Sequence, residues 1–527
     1  MQQELDEAVA GSQAAADEGF ASAQCSLGRL FDDGHGVAKN NKDSLRRFLK
    51  AAEQGNVEAQ LCLGVKYSEG CGVAKCATNA AQWCNKAAEQ GHMLSQQRMG
   101  LRRKLGDGVV KCTVQAAQWY RKAADRGLAV AQLSIGLAYS FGDGVAQDDK
   151  QAAHWFKKAA EQRNSRAQHE LGRSYFSGRG LAQNDMKAAY WHKKAAKQGH
   201  ADAQCMYGHF FRIGVGAAES DVRAVLWYRK AVEQQHAEAQ FNLGIMLQEG
   251  SGVEQNLEEA MQWWTLAAEQ GQSEAQNMLG ESYYWGEGVE PSDTEAACWF
   301  KKSAMNGDSN AQYVLGDMYY SGRGVPQSDA DAARWYKKVA DKKDKRAQFS
   351  LGNMYFEGRG VVQDDAESVR WFTKSADQGD ADAQRKLGSM YASGRGVAKN
   401  DVVAVYWYEQ AAEQGHAEAQ YDLGMMFSNG CGASKNKKEA ARWCKKAAEQ
   451  GVVHAQFRFG SMHYFGHGVT QSYMAASRWF KKAANQGDDK AQYCLGCMYY
   501  VGRGVVQSDV KAVLWYQKSA AQGFTNA

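Results

Sequence analysis

The sequence predicts an all-α fold, an α-solenoid of about fourteen helix-turn-helix repeats. Three observations predict it. Glutamine recurs from Gln24, Gln60 and Gln96 to Gln492, fourteen copies at a constant spacing of 36 residues. Glycine follows it after four, ten and twelve residues in every copy, as at Gly316, Gly322 and Gly324. Tryptophan follows after 23 residues in thirteen of the fourteen copies, from Trp83 to Trp515, with Arg47 in the remaining one.

Each element of the period has its own justification. With Gln312 as position zero, Leu315, Gly316 and Tyr319 share one face of a helix at about 100° per residue. Gly316 lets a neighbouring helix approach, and Gly322 and Gly324 supply turn conformations that end the helix. Sixteen residues after the glutamine comes Ser328, whose equivalents are Asn, Asp or Ser everywhere except Cys76 and Cys112. These are helix-capping residues, and Ser292 with Glu295 and Asp364 with Glu367 have the spacing of capping boxes. The second helix carries small residues such as Ala332 and Ala333, then Trp335, Tyr336 and two lysines. Glycine just beyond it, as at Gly307 and Gly379, stops it in eleven of fourteen repeats. One helical hairpin cannot bury its apolar faces alone, so the repeats must stack, with the tryptophan position marking the shared core. Methionine six residues after the glutamine, from Met318 to Met498 in six successive repeats, reads as packing between repeats.

The 527 residues are 44% hydrophobic and carry a net charge of only +4, which argues against a strongly basic nucleic-acid binder. No stretch approaches the roughly 18 apolar residues of a membrane span. The start, Met1-Gln2-Gln3-Glu4-Leu5-Asp6, lacks the features of a signal peptide, and there is no Asn-x-Ser/Thr sequon. The expected location is cytoplasmic, with the cysteines reduced.

The pattern Ala-Gln-x-x-Leu-Gly-x-x-Tyr-x-x-Gly-x-Gly-Val, then Asp-x-x-x-Ala-x-x-Trp-Tyr-x-Lys-Ala-Ala-Glu-Gln-Gly, resembles the Sel-1-like repeat, a relative of the tetratricopeptide repeat. The resemblance implies a right-handed superhelix and a role as an adaptor for protein or peptide partners. It covers residues 20–523; residues 1–19 resemble a worn second helix that caps the array as a half-repeat, and 524–527 form a tail. Other members of the family imply two alternatives, a β-lactam-binding hydrolase and a secreted host-interaction factor. The hydrolases carry a regular pair of cysteines in each repeat, whereas the twelve cysteines here are scattered, five of them between Cys62 and Cys112.

Thirteen identical intervals leave no inserted loop for a catalytic constellation, so no catalytic residue, cofactor or metal is assigned. Ser434-x-x-Lys437 and Ser508-x-x-Lys511 have serine-lysine spacing but no Lys-Thr-Gly companion, and Ser508 falls at a helix cap. Cys494-x-x-Cys497 lacks a second pair, and Gly466 interrupts any helix that would align His463 with His467. Cys76 and Cys112 recur at one position in adjacent repeats, where they are expected to approach one another.

Candidate binding residues lie where the repeats differ. Positions one and eight after the glutamine point away from the face of Leu315 and Gly316, towards the concave groove of a tetratricopeptide-like solenoid. In the later repeats they carry Tyr313, Phe349, Tyr421, Phe457 and Tyr493, and Tyr284, Tyr320, Phe356, Tyr464 and Tyr500. Pairs seven apart, such as Tyr313 with Tyr320, suggest an aromatic ladder that either binds a peptide or packs the repeats together. In repeat 3, Arg98, Arg102, Arg103 and Lys104 form a basic patch, read either as an acidic-partner or phosphate site or as a frayed repeat. Arg323, Arg359 and Arg395 make a row along one edge, balanced by aspartates such as Asp329 and Asp365, and pairs such as Lys157-Lys158 read as a solvated outer face.

Overall fold

The computed structural model describes residues 11–523; residues 1–10 of the expected cap and the 524–527 tail lie outside the described residues. Fourteen helix pairs follow one another, from Ala21–Asp33 with Asn41–Glu53 to Asp489–Val501 with Asp509–Ala520. We call the two members of each pair helix A and helix B, and number the repeats 1 to 14 from Gln24 to Gln492. The chain divides into two compact units, Met1–Gln272 and Ser273–Ala527. Within each, successive helical hairpins stack side by side, the arrangement of an α-solenoid.

Repeat 9 illustrates how the sequence builds one hairpin. Helix A, Ser309–Ser321, starts at Asp308, whose carboxylate accepts from the Ala311 N–H at 2.7 Å. It ends at Gly322, which adopts φ 73° and donates its N–H to the Met318 carbonyl. Helix B, Asp329–Ala340, starts at Ser328, whose hydroxyl accepts from the Asp331 N–H at 3.2 Å. Three repeats lack glycine after helix B, and there Arg163, Gln235 and Lys343 take φ values of 65°, 58° and 70°. The turn geometry is therefore kept at the expense of backbone strain.

The core takes both the tryptophan, which packs against the preceding repeat (Trp155, Trp371 and Trp443 are buried there), and the residue after it, which fills its own hairpin. Gly316 lies so close to Tyr336 that a Cβ there would be 2.8 Å from the ring, and Gly352 and Phe372 repeat the contact. The residue after the tryptophan is the more deeply buried of the two: Phe300 and Phe372 are almost inaccessible, whereas Trp335 is half-buried and Trp371 is 6% exposed. Lysine three residues on covers the tryptophan face, with Lys338 Nζ 4.0 Å from the Trp335 ring centroid and Lys374 3.7 Å from that of Trp371. One residue of the lysine pair is therefore a lid on an aromatic ring, a cation–π contact of about 0.5–1 kcal/mol at an exposed site. The methionine column packs as expected: Met318, Met354, Met390, Met462 and Met498 are buried and Met426 is half-buried.

Position zero explains the period. Gln348 is 2% exposed, and its amide NH2 donates to the Ala340 carbonyl at 3.1 Å, in the preceding helix B. Its amide oxygen accepts from Gln378 at 2.7 Å, just beyond its own helix B. One side chain ties three consecutive helices and satisfies a carbonyl that a helix end leaves without a partner. At the start of the described chain, residues 11–17 are helical and the Ala16 carbonyl accepts from Gln24 at 3.1 Å, as a helix B would.

Two stability predictions follow from this geometry. Gln348→Ala should destabilise by about 1–3 kcal/mol, because the Ala340 carbonyl loses its buried partner; urea denaturation measures it. Lys343→Gly should stabilise by about 0.5–1 kcal/mol through relief of a positive φ, measured in the same way.

Candidate functional site

The aromatic positions of the second unit are held by a repeated device. Rings at position one lie against the buried ring of their own helix B: Tyr313 on Tyr336, Phe349 on Phe372 and Phe457 on Phe480, each with centroids 5.7 Å apart. Tyr493 lies 5.6 Å from Tyr516, while Tyr421 lies 6.5 Å from His454. Rings at position eight are covered by the glycine-turn arginine of the next repeat. The Arg323, Arg359 and Arg395 guanidinium carbons stand 3.6, 3.9 and 3.6 Å from the centroids of Tyr284, Tyr320 and Phe356. The same arginines pair with Asp293, Asp329 and Asp365 at 2.6, 2.8 and 2.8 Å, so the expected row of balanced charges is a row of staples between repeats. Arg503 reaches the Tyr464 hydroxyl at 3.2 Å. Apart from Tyr421, which meets a first-helix histidine, the contacts of these rings thus run to second helices and neighbouring arginines, where the sequence suggested a ladder of pairs seven apart on one helix. The rings remain partly exposed, and Tyr500 is 60% exposed.

In repeat 3 the basic residues separate. Arg102 is 8% exposed; it pairs with Asp107 at 2.6 Å and donates to the Ala77 carbonyl at 3.4 Å and to the Ser68 hydroxyl. Arg103 donates to the Val110 carbonyl at 3.4 Å, Lys104 pairs with Asp143 at 2.6 Å, and Arg98 lines a cleft beside Glu69. Helix A of this repeat runs its full length, Met93–Leu105. One repeat earlier, Lys66 occupies the position of Arg102 and pairs with Asp32 at 2.5 Å. At position six, where later repeats carry methionine, a cation is thus neutralised locally.

A histidine cluster in repeats 5 and 6 was not singled out by sequence reasoning. His169 and His192 occupy the places of the Phe349–Phe372 pair, 23 residues apart, a spacing that follows no ligand motif. Their rings meet edge to face at 5.0 Å, and His169 stacks on His200 at 5.1 Å. Neither ring nitrogen of the fully buried His192 has a hydrogen-bond partner. Burial lowers His192 to about 3 and His169 to about 4, and it also lowers His200. Arg166, Arg173 and His236 act in the same direction, and Asp202 opposes them.

Other motifs have structural roles. The Ser508 hydroxyl caps a helix by accepting from the Lys511 N–H at 3.4 Å. All twelve cysteines are free, including Cys76 and Cys112, and Cys494 and Cys497 are half-buried. Among the described residues no three His, Cys, Asp or Glu side chains come together as a metal site, and no helix is long and apolar enough to cross a membrane. Equivalent positions of successive repeats also line small clefts, of about 250 Å³ between repeats 2 and 3, 380 Å³ between repeats 4 and 5, and 440 Å³ between repeats 12 and 13.

Paired helices with a shared core, repeated without insertion, define a helical-repeat protein. The Sel1 repeat matches fourteen consecutive segments, from 21–56 to 489–524, and the chain belongs to the Sel1 repeat family. Sel1 repeats generally form protein-interaction scaffolds. The chain is similar to c5321, a protective antigen present in uropathogenic Escherichia coli strains and displaying an SLR fold. That likeness has 29% identity over 93% of this chain and 96% of the other, with a TM-score of 0.62. A Sel1 repeat protein from Oxalobacter formigenes is 34% identical over 58% of this chain and 91% of its own, with a TM-score of 0.49. No curated protein matches the sequence.

The histidine cluster sets a pH dependence. A histidine whose folded pKa lies below its unfolded value of about 6.5 binds its proton preferentially in the unfolded chain. Stability is therefore complete above about pH 6.5 and falls as the pH drops towards the folded values near 4 and 3. The protection of amides in helices Ser165–Ser177 and Asp185–Lys197, taken relative to the intrinsic exchange rate at each pH, should fall over that window, and His192→Phe should preserve much of it.

Proposed function

We propose that this chain is a non-catalytic scaffold that holds an extended peptide or an amphipathic helix of a partner protein in a groove lined by its A helices. The contacts would be made by Tyr284, Tyr313, Tyr320, Phe349 and Phe356 in repeats 8 to 10, and by Phe457, Tyr464, Tyr493 and Tyr500 in repeats 13 and 14. The observation that supports this reading is the way the rings are held. All of these but Tyr500 are held on one side by a second-helix ring or an arginine, and every ring keeps part of its surface exposed. Rings fixed before binding lose little conformational freedom on contact and contribute large area, which suits peptide recognition.

The double variant Tyr320→Ala, Phe356→Ala tests the reading beside Arg359→Ala, which removes one staple but leaves the ring. Affinity capture from the native cell should lose the principal partner with the ring variant and retain it with Arg359→Ala. If the two variants fall equally in melting temperature and capture the same proteins as the unaltered chain, the rings are packing elements and the reading fails.

A further inference from the structure

The clefts between repeats are the same structural slot filled with different charges. The earlier repeat contributes positions eight and nine, and the later one positions two, five, six, nine and eleven. Between repeats 4 and 5 the slot holds Asp149 and Glu170 against Arg173 and Arg179, paired at 3.0 Å for Arg179–Asp149 and 3.4 Å for Arg173–Glu170. Between repeats 2 and 3 it holds Glu69 and Asp107 against Arg98 and Arg102. Both slots carry their own counter-charges.

Between repeats 12 and 13 the compensation is missing. Lys437 begins helix B where Asp329 and Asp365 stand in repeats 9 and 10, and His467 replaces the arginine that staples those repeats. Lys435 and Arg458 complete the lining, and no acidic residue contributes to it. Among the described residues none of these four side chains is in an ion pair. The cleft, at about 440 Å³, is within the usual range for ligand sites. Three permanent cations and an imidazole converge on one space, which raises the local potential and favours a ligand with several negative charges. Phe457, Met462 and Phe465 supply an apolar wall, and His467 stacks on Phe465 with centroids 5.7 Å apart.

We propose that this cleft receives an acidic peptide segment, with clustered aspartate or glutamate side chains beside an apolar residue. Two observations favour carboxylates over a phosphate group. The cations sit on separate segments, the turn and helix start of repeat 12 and the A helix and turn of repeat 13, so they suit adjacent side chains better than one compact anion. The backbone N–H groups at the start of helix B, which would cradle a phosphate, already donate to the Asn436 side chain from Lys438 and Glu439 at 3.0 and 3.1 Å. The proposal rests on the scaffold reading, because Phe457 and Ser461 belong to the same face as the partner-binding rings.

The test uses the purified full chain and fluorescein-labelled Glu-Glu-Phe-Glu-Glu and Lys-Lys-Phe-Lys-Lys peptides, followed by anisotropy at low and high salt. The double variant Lys437→Asp, Arg458→Ser introduces residues that other repeats already carry at these positions, Asp365 and Ser350 among them. The acidic peptide should bind the unaltered chain, weaken with salt, and weaken by about tenfold in the double variant. The variant Tyr320→Ala, Phe356→Ala should keep this binding. Equal binding of both peptides, or acidic binding unchanged in the Lys437→Asp, Arg458→Ser variant, overturns the proposal. So does binding of inorganic phosphate that is lost in the same variant while neither peptide binds, which would make the cleft a small-anion site. Because the probe is a defined peptide, acidic binding that persists when no cellular partner is captured supports this cleft while the wider scaffold reading fails.

Discussion

A buried amide oriented in both directions holds this fold together. Within each unit a position-zero glutamine sits where helix A passes between two B helices, and it must offer a donor to one and an acceptor to the other. Gln348 does both, to the Ala340 carbonyl and from the Gln378 side chain. Glutamate would lose the donor, and leucine would leave a helix-end carbonyl without a partner in the interior. The substitutions at the partner position show how specific the requirement is. Asn306 and Lys342 still donate, to Gln276 and Gln312, whereas Arg126 turns to the Gly91 carbonyl and leaves the amide oxygen of Gln96 unpaired.

Around this amide, glycine sets how closely the helices approach. The glycine at position four admits the aromatic ring of helix B, and the one at position twelve lies against the preceding repeat: a Cβ on Gly324 would stand 2.0 Å from the Asp293 carbonyl oxygen. The distances within and between hairpins are therefore both fixed by missing side chains. This leaves the exposed positions free to vary in chemistry without disturbing the frame.

The helix pairs, their caps and the stacking of repeats could be read from the sequence because each rests on a residue that recurs at every period. The inner ring could not be distinguished from its neighbour. Trp335 and Tyr336 are adjacent, about 100° apart on one helix, and both are aromatic; only contact with Gly316 decides which turns inward. Nor could single columns reveal the staples, since Arg359 meets Tyr320 and Asp329 from the previous period. The buried histidines escaped notice because they stand in for phenylalanines, and a search for ligand spacing passes over them. For the candidate site, the aromatic columns were visible as residue types, but their attachment to arginines was not. The cation-rich cleft becomes visible in sequence only when columns of two successive repeats are compared.

The position-zero amide also bears on how the array changes length. Within each unit, a glutamine receives from a residue 30 positions later and donates to one eight positions earlier, so removing a whole period brings an equivalent donor and acceptor to the new seam. Loss or gain of complete 36-residue blocks is then nearly silent for buried polar groups wherever the ladder is regular. Repeat 3 departs from that regularity. With Arg126 in the donor's place the Gln96 amide oxygen is unpaired, a defect internal to the repeat, since the donations across its seams, from Gln96 to the Ala88 carbonyl and from Gln132 to the Ala124 carbonyl, are regular.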